Sequence, residues 1–356
     1  MQKRPESGSV ARPERKNPEI QLLRLIMAFE IALFHGRGGG GYLAVDFFFV
    51  LTGYFSVRRA LSHPDASCRD AALWTVRKFA PIYAYAIPIC AVHLLARGLL
   101  LGAGLRQTLR SLAYGSYQIA LLSASGLFDG SHNFVSHLWY LSCLLMLLPL
   151  FYSLLIKKKD FFLYVFAPLS ALFLYGYCAQ AFGGLLISHE WSGLFLTGLI
   201  RAWAGLCAGA AAYLLARRLR ALPPMTKLAR RLLSAAQLLC LFSGLLYMHA
   251  QEGGMLDFLC VFLWIALVGV VLSERASIHP LFAPLGECAP LSELSLSLYL
   301  SHWTIPLLLR ACTPDGSVPM PPYLVLSLLY AALWVLIVSL ARKLLSRLRL
   351  KELFFS

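Results

Sequence analysis

FVSHLWYLSCLLMLLPLFYSLLI, residues 134–156, runs for 23 positions without an aspartate, glutamate, lysine or arginine, and Lys157, Lys158 and Lys159 close it. A helix rises about 1.5 Å per residue, so this run reaches about 34 Å, enough to cross a hydrocarbon core of roughly 30 Å. The lysine triplet at one end marks a cytoplasmic boundary. Nine further apolar stretches of similar kind lie on either side: 19–36, 42–60, 76–96, 161–181, 193–216, 231–250, 255–273, 291–311 and 322–342. Together the ten predict an all-α integral membrane bundle of about ten transmembrane helices, with N- and C-termini cytoplasmic.

Composition agrees. Hydrophobic residues make up 59% of the 356-residue chain and charged residues only 14%, against about 25% charged in a soluble domain. Mean hydropathy is +0.68. The net charge of +15 is not the footprint of a nucleic-acid partner, because the cations sit between the apolar runs, where they meet lipid headgroups and set topology. With the N-terminus inside, 25 of the 32 Lys and Arg fall in cytoplasmic segments and five in outer ones, while Arg24 and Arg201 lie within spans. The expected organisation is a cytoplasmic tail at 1–18, a transmembrane domain at 19–345 and a second cytoplasmic tail at 346–356. Asn17-Pro18-Glu19 opens the first helix with a cap, a proline at the first position and an acid in the first turn. Residues 1–18 lack the apolar core of a signal peptide. Gln107–Phe128 reads as an interfacial or re-entrant segment, with an eleventh span as the alternative. The nine cysteines form no Cys-x-x-Cys, so neither a zinc site nor a disulfide framework is expected.

Ionisable groups inside spans are costly and mark function by default. Arg24 and His35 are eleven residues apart, which is three turns with roughly 20° left over, so they share one face of the first helix about 16 Å apart along its axis. A snorkelling arginine and a histidine capping a helix end are the plain alternative. Gly38–Gly41 then make a tight outer turn, followed by AVDFFFVLTGY at 44–54. Arg201 lies about 13 Å into its span, too deep to snorkel, and Glu30 is a candidate partner. His302 sits mid-span with Tyr299 one turn away.

These residues resemble the acyltransferase-3 family of integral membrane O-acyltransferases. Its members carry an arginine, ten residues and a histidine in the first helix, then a segment like G-V-D-x-F-F-x-x-S-G-F. Here Ala44 stands for the usual glycine and Thr52 for the serine. Lys78-Phe79-Ala80-Pro81-Ile82-Tyr83, Leu138-Trp139-Tyr140-Leu141, Arg201 through Gly205, and Ser295 through Trp303 resemble four further family motifs in order. Where many members have two arginines three apart before the proline, this chain has Thr75 and Lys78, with Arg77 beside them.

The resemblance implies transfer of an acyl group, often acetyl, from acyl-CoA to a hydroxyl of a glycan or other cell-surface or lipid-linked acceptor, in a bacterial plasma membrane. His35 is then general base or transient acyl carrier, since a neutral imidazole with a pKa near 6.5 suits the base role. Asp46 is expected close enough to orient it, as in a triad. Arg24, Arg77 and Lys78 are expected to grip the donor's phosphates. Arg201, Tyr299, His302, Trp139 and Thr52 are placed as cavity-lining or supporting residues. His93 and His137 fall near the outer side without an assigned role. No metal and no tightly bound cofactor are expected; acyl-CoA is a substrate. A transporter or flippase for a lipid-linked or small polar substrate also uses intramembrane charges, although no clear inverted repeat is visible. A non-catalytic scaffold leaves the Arg24/His35 stripe unexplained.

Overall fold

The computed structural model describes residues 17–100, 102, 104–127, 134–250, 253–287 and 290–347. The two expected tails therefore lie almost wholly outside the described residues. Helices occupy all ten stretches read as spans. They are α1 (Pro18–Arg37), α2 (Ala44–Ser62), α3 (Cys68–Leu100), α4 (Leu105–Ile119), α5 (Trp139–Lys157), α6 (Lys159–Phe161), α7 (Ala167–Phe182), α8 (Thr197–Ala221), α9 (Lys227–Ala250), α10 (Asp257–Ser273), α11 (Pro290–Ser301), α12 (Thr304–Cys312) and α13 (Met320–Arg347). A π-helical turn, Phe162–Phe166, joins α6 to α7.

Among the described residues, six helices are long and apolar enough to cross a membrane: Cys68–Leu100, Ser136–Lys157, Lys159–Phe182, Thr197–Ala221, Lys227–Ala250 and Met320–Ser346. The remaining expected spans differ for physical reasons. α1 and α2 carry Glu19, Arg24, Glu30, Asp46 and Arg59 and bury one or both faces against protein. α10 is strongly apolar but has only 17 residues. The stretch read as one span at 291–311 breaks at His302-Trp303 into α11 and α12. Gln107–Phe128 contributes α4, a 15-residue helix about 22 Å long, too short to be an eleventh span. It packs on α3.

The N-cap reading of α1 holds: Asn17 Oδ1 accepts from Ile20 N at 3.1 Å, with Pro18 at the start. The core centres on α8, which packs against α2, α5, α7 and α10. Of its most apolar stretch 61% is buried, against 22% for α9 and α13, which form the rim. α8 is lined with small residues, including Ala204, Gly205, Ala208 and Gly209, all buried, and small residues let membrane helices approach closely. A Cβ on Gly53 would sit 2.1 Å from the Leu206 carbonyl oxygen, and one on Gly209 would sit 2.3 Å from that of Val50. Glycine is thus what lets α2 and α8 meet, backbone to backbone. On the other side, α1 packs on α11, which packs on α13. A short hairpin, Trp191–Ser192 with Phe195–Leu196, forms the connection before α8.

Candidate active site

Two cavities follow one face of α1. The first, about 210 Å³, is lined by Arg24, Lys78, Thr52, Tyr140 and Tyr299 among apolar neighbours. Arg24 and Lys78 supply two cations, and among the described residues no carboxylate lines the same space. Arg24 reaches Gln21 Oε1 at 3.4 Å, and its carbonyl takes the Ser295 hydroxyl at 2.9 Å, tying α1 to α11. Lys78 lays its ammonium over the Trp74 ring, 5.1 Å from the centroid. The cavity therefore offers uncompensated positive charge at one end and an apolar and phenolic wall beyond it.

The second cavity, about 160 Å³, is lined by His35, His137, Trp139, His189 and Arg201. Ile31 and Val45 belong to the walls of both cavities. The two cavities thus adjoin along α1 and share these two aliphatic wall residues, where a single passage from Arg24 to His35 was expected. Tyr299 bridges them: its ring lines the first, and its hydroxyl donates to the carbonyl of His137, which lines the second.

Around His35 the aromatic packing is dense. Its ring lies 5.2 Å from that of His302, with planes 24° apart, and 4.7 Å edge-on from Trp303. The His137 ring is 5.3 Å from His302 and 5.5 Å from Trp303. His302 and Trp303 occupy the break between α11 and α12, and so turn inward where a continuous helix was expected. Beside the second cavity, Glu190 accepts from Ser188 N at 2.8 Å, His189 N at 3.0 Å and Thr197 Oγ1 at 2.8 Å. Partial burial pulls its pKa upward, but these hydrogen bonds outweigh it and hold the carboxyl below the usual range.

Asp46 is engaged differently from the expectation, by Arg201. Arg201 Nη2 lies 2.5 Å from Asp46 Oδ2, and Nε lies 3.2 Å from both carboxylate oxygens. Tyr175 donates to Asp46 Oδ1 at 2.9 Å. Arg201 also donates to the Tyr42 carbonyl at 2.9 Å and the Ile187 carbonyl at 3.4 Å, between the Tyr42 and Trp139 rings. The carboxylate expected to orient His35 is thus committed to Arg201. Glu30 is not the partner of Arg201; it pairs with His249 at 3.3 Å. The reason is the α2–α8 contact, which brings Asp46 and Arg201 to one level.

Of the residues expected at the donor, Arg24 and Lys78 share a cavity and Arg77 does not. Arg77 lines a separate hollow with Arg59, His63 and Trp74. Thr52 and Tyr299 line the first cavity, and Trp139 and Arg201 the second, as cavity-lining residues. Sequence reasoning gave no role to His137, Tyr42 or Tyr175. His137 adjoins the Leu138-Trp139-Tyr140-Leu141 motif, which is the signal that marks it. Nothing local distinguishes Tyr175 from any other tyrosine of an apolar helix.

A family model described as an acyltransferase domain, acyltransferase-3, matches residues 17–340. No curated protein and no solved structure matches the chain.

Proposed function

Because the chain belongs to the acyltransferase-3 family, we propose that it moves an acyl group, acetyl in the first instance, from acyl-CoA to a hydroxyl of a glycan or lipid-linked acceptor. The reading gives the chain about ten membrane crossings in a bacterial plasma membrane, with both termini cytoplasmic. The donor then arrives at the Arg24 end of α1 and the acceptor at the His35 end.

One observation carries the reading. A chamber holding two cations and, among the described residues, no carboxylate is stacked along α1 beneath a chamber holding an accessible imidazole. Acyl-CoA is polyanionic at one end and carries its thioester at the end of a long, uncharged arm. Arg24 and Lys78 suit the phosphates, and the apolar wall suits the arm. The thioester must pass between Ile31 and Val45 to reach His35, so these two side chains act as the gate. Arg77, in its neighbouring hollow, is left as an outer attraction for the anionic donor.

At His35 the acceptor hydroxyl loses its proton to the ring as its oxygen attacks the thioester carbon. The C–O bond forms, the C–S bond breaks, and the proton passes to the departing thiolate. General-base help of this kind is worth about 10²–10⁴-fold. In the alternative course His35 itself takes the acyl group and then yields it to the acceptor. Asp46 supports the site at one remove, by fixing Arg201 in the wall of the second chamber.

The test is turnover of labelled acetyl-CoA by purified protein in proteoliposomes, with His35→Ala alongside. The reading requires release of free CoA that is lost in His35→Ala, and acid quenching to trap an acyl-histidine separates the two courses. Equal turnover by His35→Ala would end it. The broken helix at His302 is a feature that transporters also show; movement of substrate without acyl transfer in the same vesicles would favour that reading instead.

A further inference from the structure

Resting on His35 as the group that accepts the proton, we infer that His302 is its positioning partner, the base that holds the His35 ring and steadies its protonated form. The inference starts from a hydrogen-bond count. His302 is fully buried, and its Nδ1 lies 3.1 Å from the Leu298 carbonyl oxygen. A carbonyl oxygen only accepts, so Nδ1 carries the hydrogen, and in the neutral ring Nε2 is an unprotonated lone pair. Among the described residues, nothing donates to that Nε2. Buried polar atoms are nearly always paired, so an orphan acceptor beside a reacting group calls for a donor.

His35 is the donor at hand. The two rings are stacked, 5.2 Å apart centre to centre, so the His35 ring must turn about its side-chain torsions to aim an N–H at Nε2, and catalytic hydrogen bonds commonly align only when substrate binds. The nearby carboxylates and the Arg201 guanidinium are already engaged. Asp46 and Arg201 neutralise each other, Glu30 is taken by His249, and His93 faces Thr304, 3.3 Å from its hydroxyl. His137, whose ring lies 5.3 Å from that of His302 at a steep 63°, has no partner at either ring nitrogen among the described residues and is the competing donor. The unwound turn between α11 and α12 places His302 here, and its own carbonyl accepts from Ile305 N at 3.3 Å.

In the reaction, one nitrogen of His35 takes the hydroxyl proton while the N–H at its other nitrogen donates to His302 Nε2. The ring that gains charge is then held and stabilised, as the carboxylate does in a Ser-His-Asp triad. When His35 returns the proton to the thiolate sulfur, His302 is unchanged, so no further reactant is needed.

The test compares His302→Leu, which removes the acceptor, with His302→Gln, whose side-chain carbonyl keeps one near the Nε2 position. Two readouts are taken on protein in proteoliposomes: acetyl-CoA turnover with water as acceptor, and the rate at which diethyl pyrocarbonate acylates His35, followed by peptide mass spectrometry with His189 as internal control. The expected result for His302→Leu is a fall in kcat of about 100-fold, with KM for acetyl-CoA within about twofold, and slower acylation of His35 but not of His189. His302→Gln recovers most of both. Equal losses in the two variants with His35 reactivity unchanged would reduce His302 to a packing residue and overturn the inference, as would wild-type behaviour of His302→Leu. The acylation rate decides even where turnover on water is slow. Full turnover by His35→Ala is a different failure: it removes the underlying reading, whatever His302 does.

Discussion

Replacing Asp46 with alanine takes from a fully buried site the carboxylate that holds Arg201 Nη2 at 2.5 Å, Arg201 Nε at 3.2 Å and the Tyr175 hydroxyl at 2.9 Å. Arg201 keeps its bonds to the Tyr42 and Ile187 carbonyls, but neither supplies a formal negative charge, so the cation of a residue only 1% exposed is left uncompensated. Breaking a buried pair from one side costs about 3–5 kcal/mol. The lower figure is expected here, because segments unfolded within a membrane find other polar partners. By the unfolding entropy per residue of globular proteins, about 3 kcal/mol in a chain of this size is a fall in Tm of about 4 °C. Tryptophan fluorescence during heating in detergent micelles measures it. The paired replacement Asp46→Leu with Arg201→Met removes both charges and is expected to regain most of the lost stability. A Tm for Asp46→Ala within 1 °C of wild type, or a double variant no more stable than the single, would refute the assignment of Asp46 to an ion pair. It would also return the carboxylate to candidacy as the partner of His35.

The remaining predictions concern the donor chamber and the helix contact that supports the site. Arg24→Ala is expected to raise KM for acetyl-CoA about 10–100-fold, the worth of one or two charge-assisted hydrogen bonds, with kcat little changed. Arg77→Ala, in its separate hollow, raises KM by less than about threefold, and steady-state kinetics of the two variants side by side test the difference. Gly53→Ala places a Cβ 2.1 Å from the Leu206 carbonyl oxygen, so α2 and α8 must separate. Overpacking of this kind costs about 1–3 kcal/mol, read as a lower Tm together with reduced activity, since the same contact aligns Asp46 with Arg201.

Much of this protein is written locally. Runs such as 134–156 with Lys157–Lys159 behind them specify helices, because apolar length and flanking charge act on the segment alone. Helices stand at all ten places so marked. The stripe on α1 was legible for the same reason: Arg24 and His35 are related by helix geometry within one element, and each does line a cavity. What only the tertiary structure decided is which charges meet. Asp46 and Arg201 are 155 residues apart, and their pairing depends on Gly53 and Gly209 letting two helices touch. The break at His302 was hidden because α11 and α12 read as one apolar run, so hydropathy continues across the turn where hydrogen bonding does not. Hydropathy measures transfer from water to lipid one residue at a time, whereas a buried charge or lone pair is stable only through a partner, and the partner is set by the packing of distant segments.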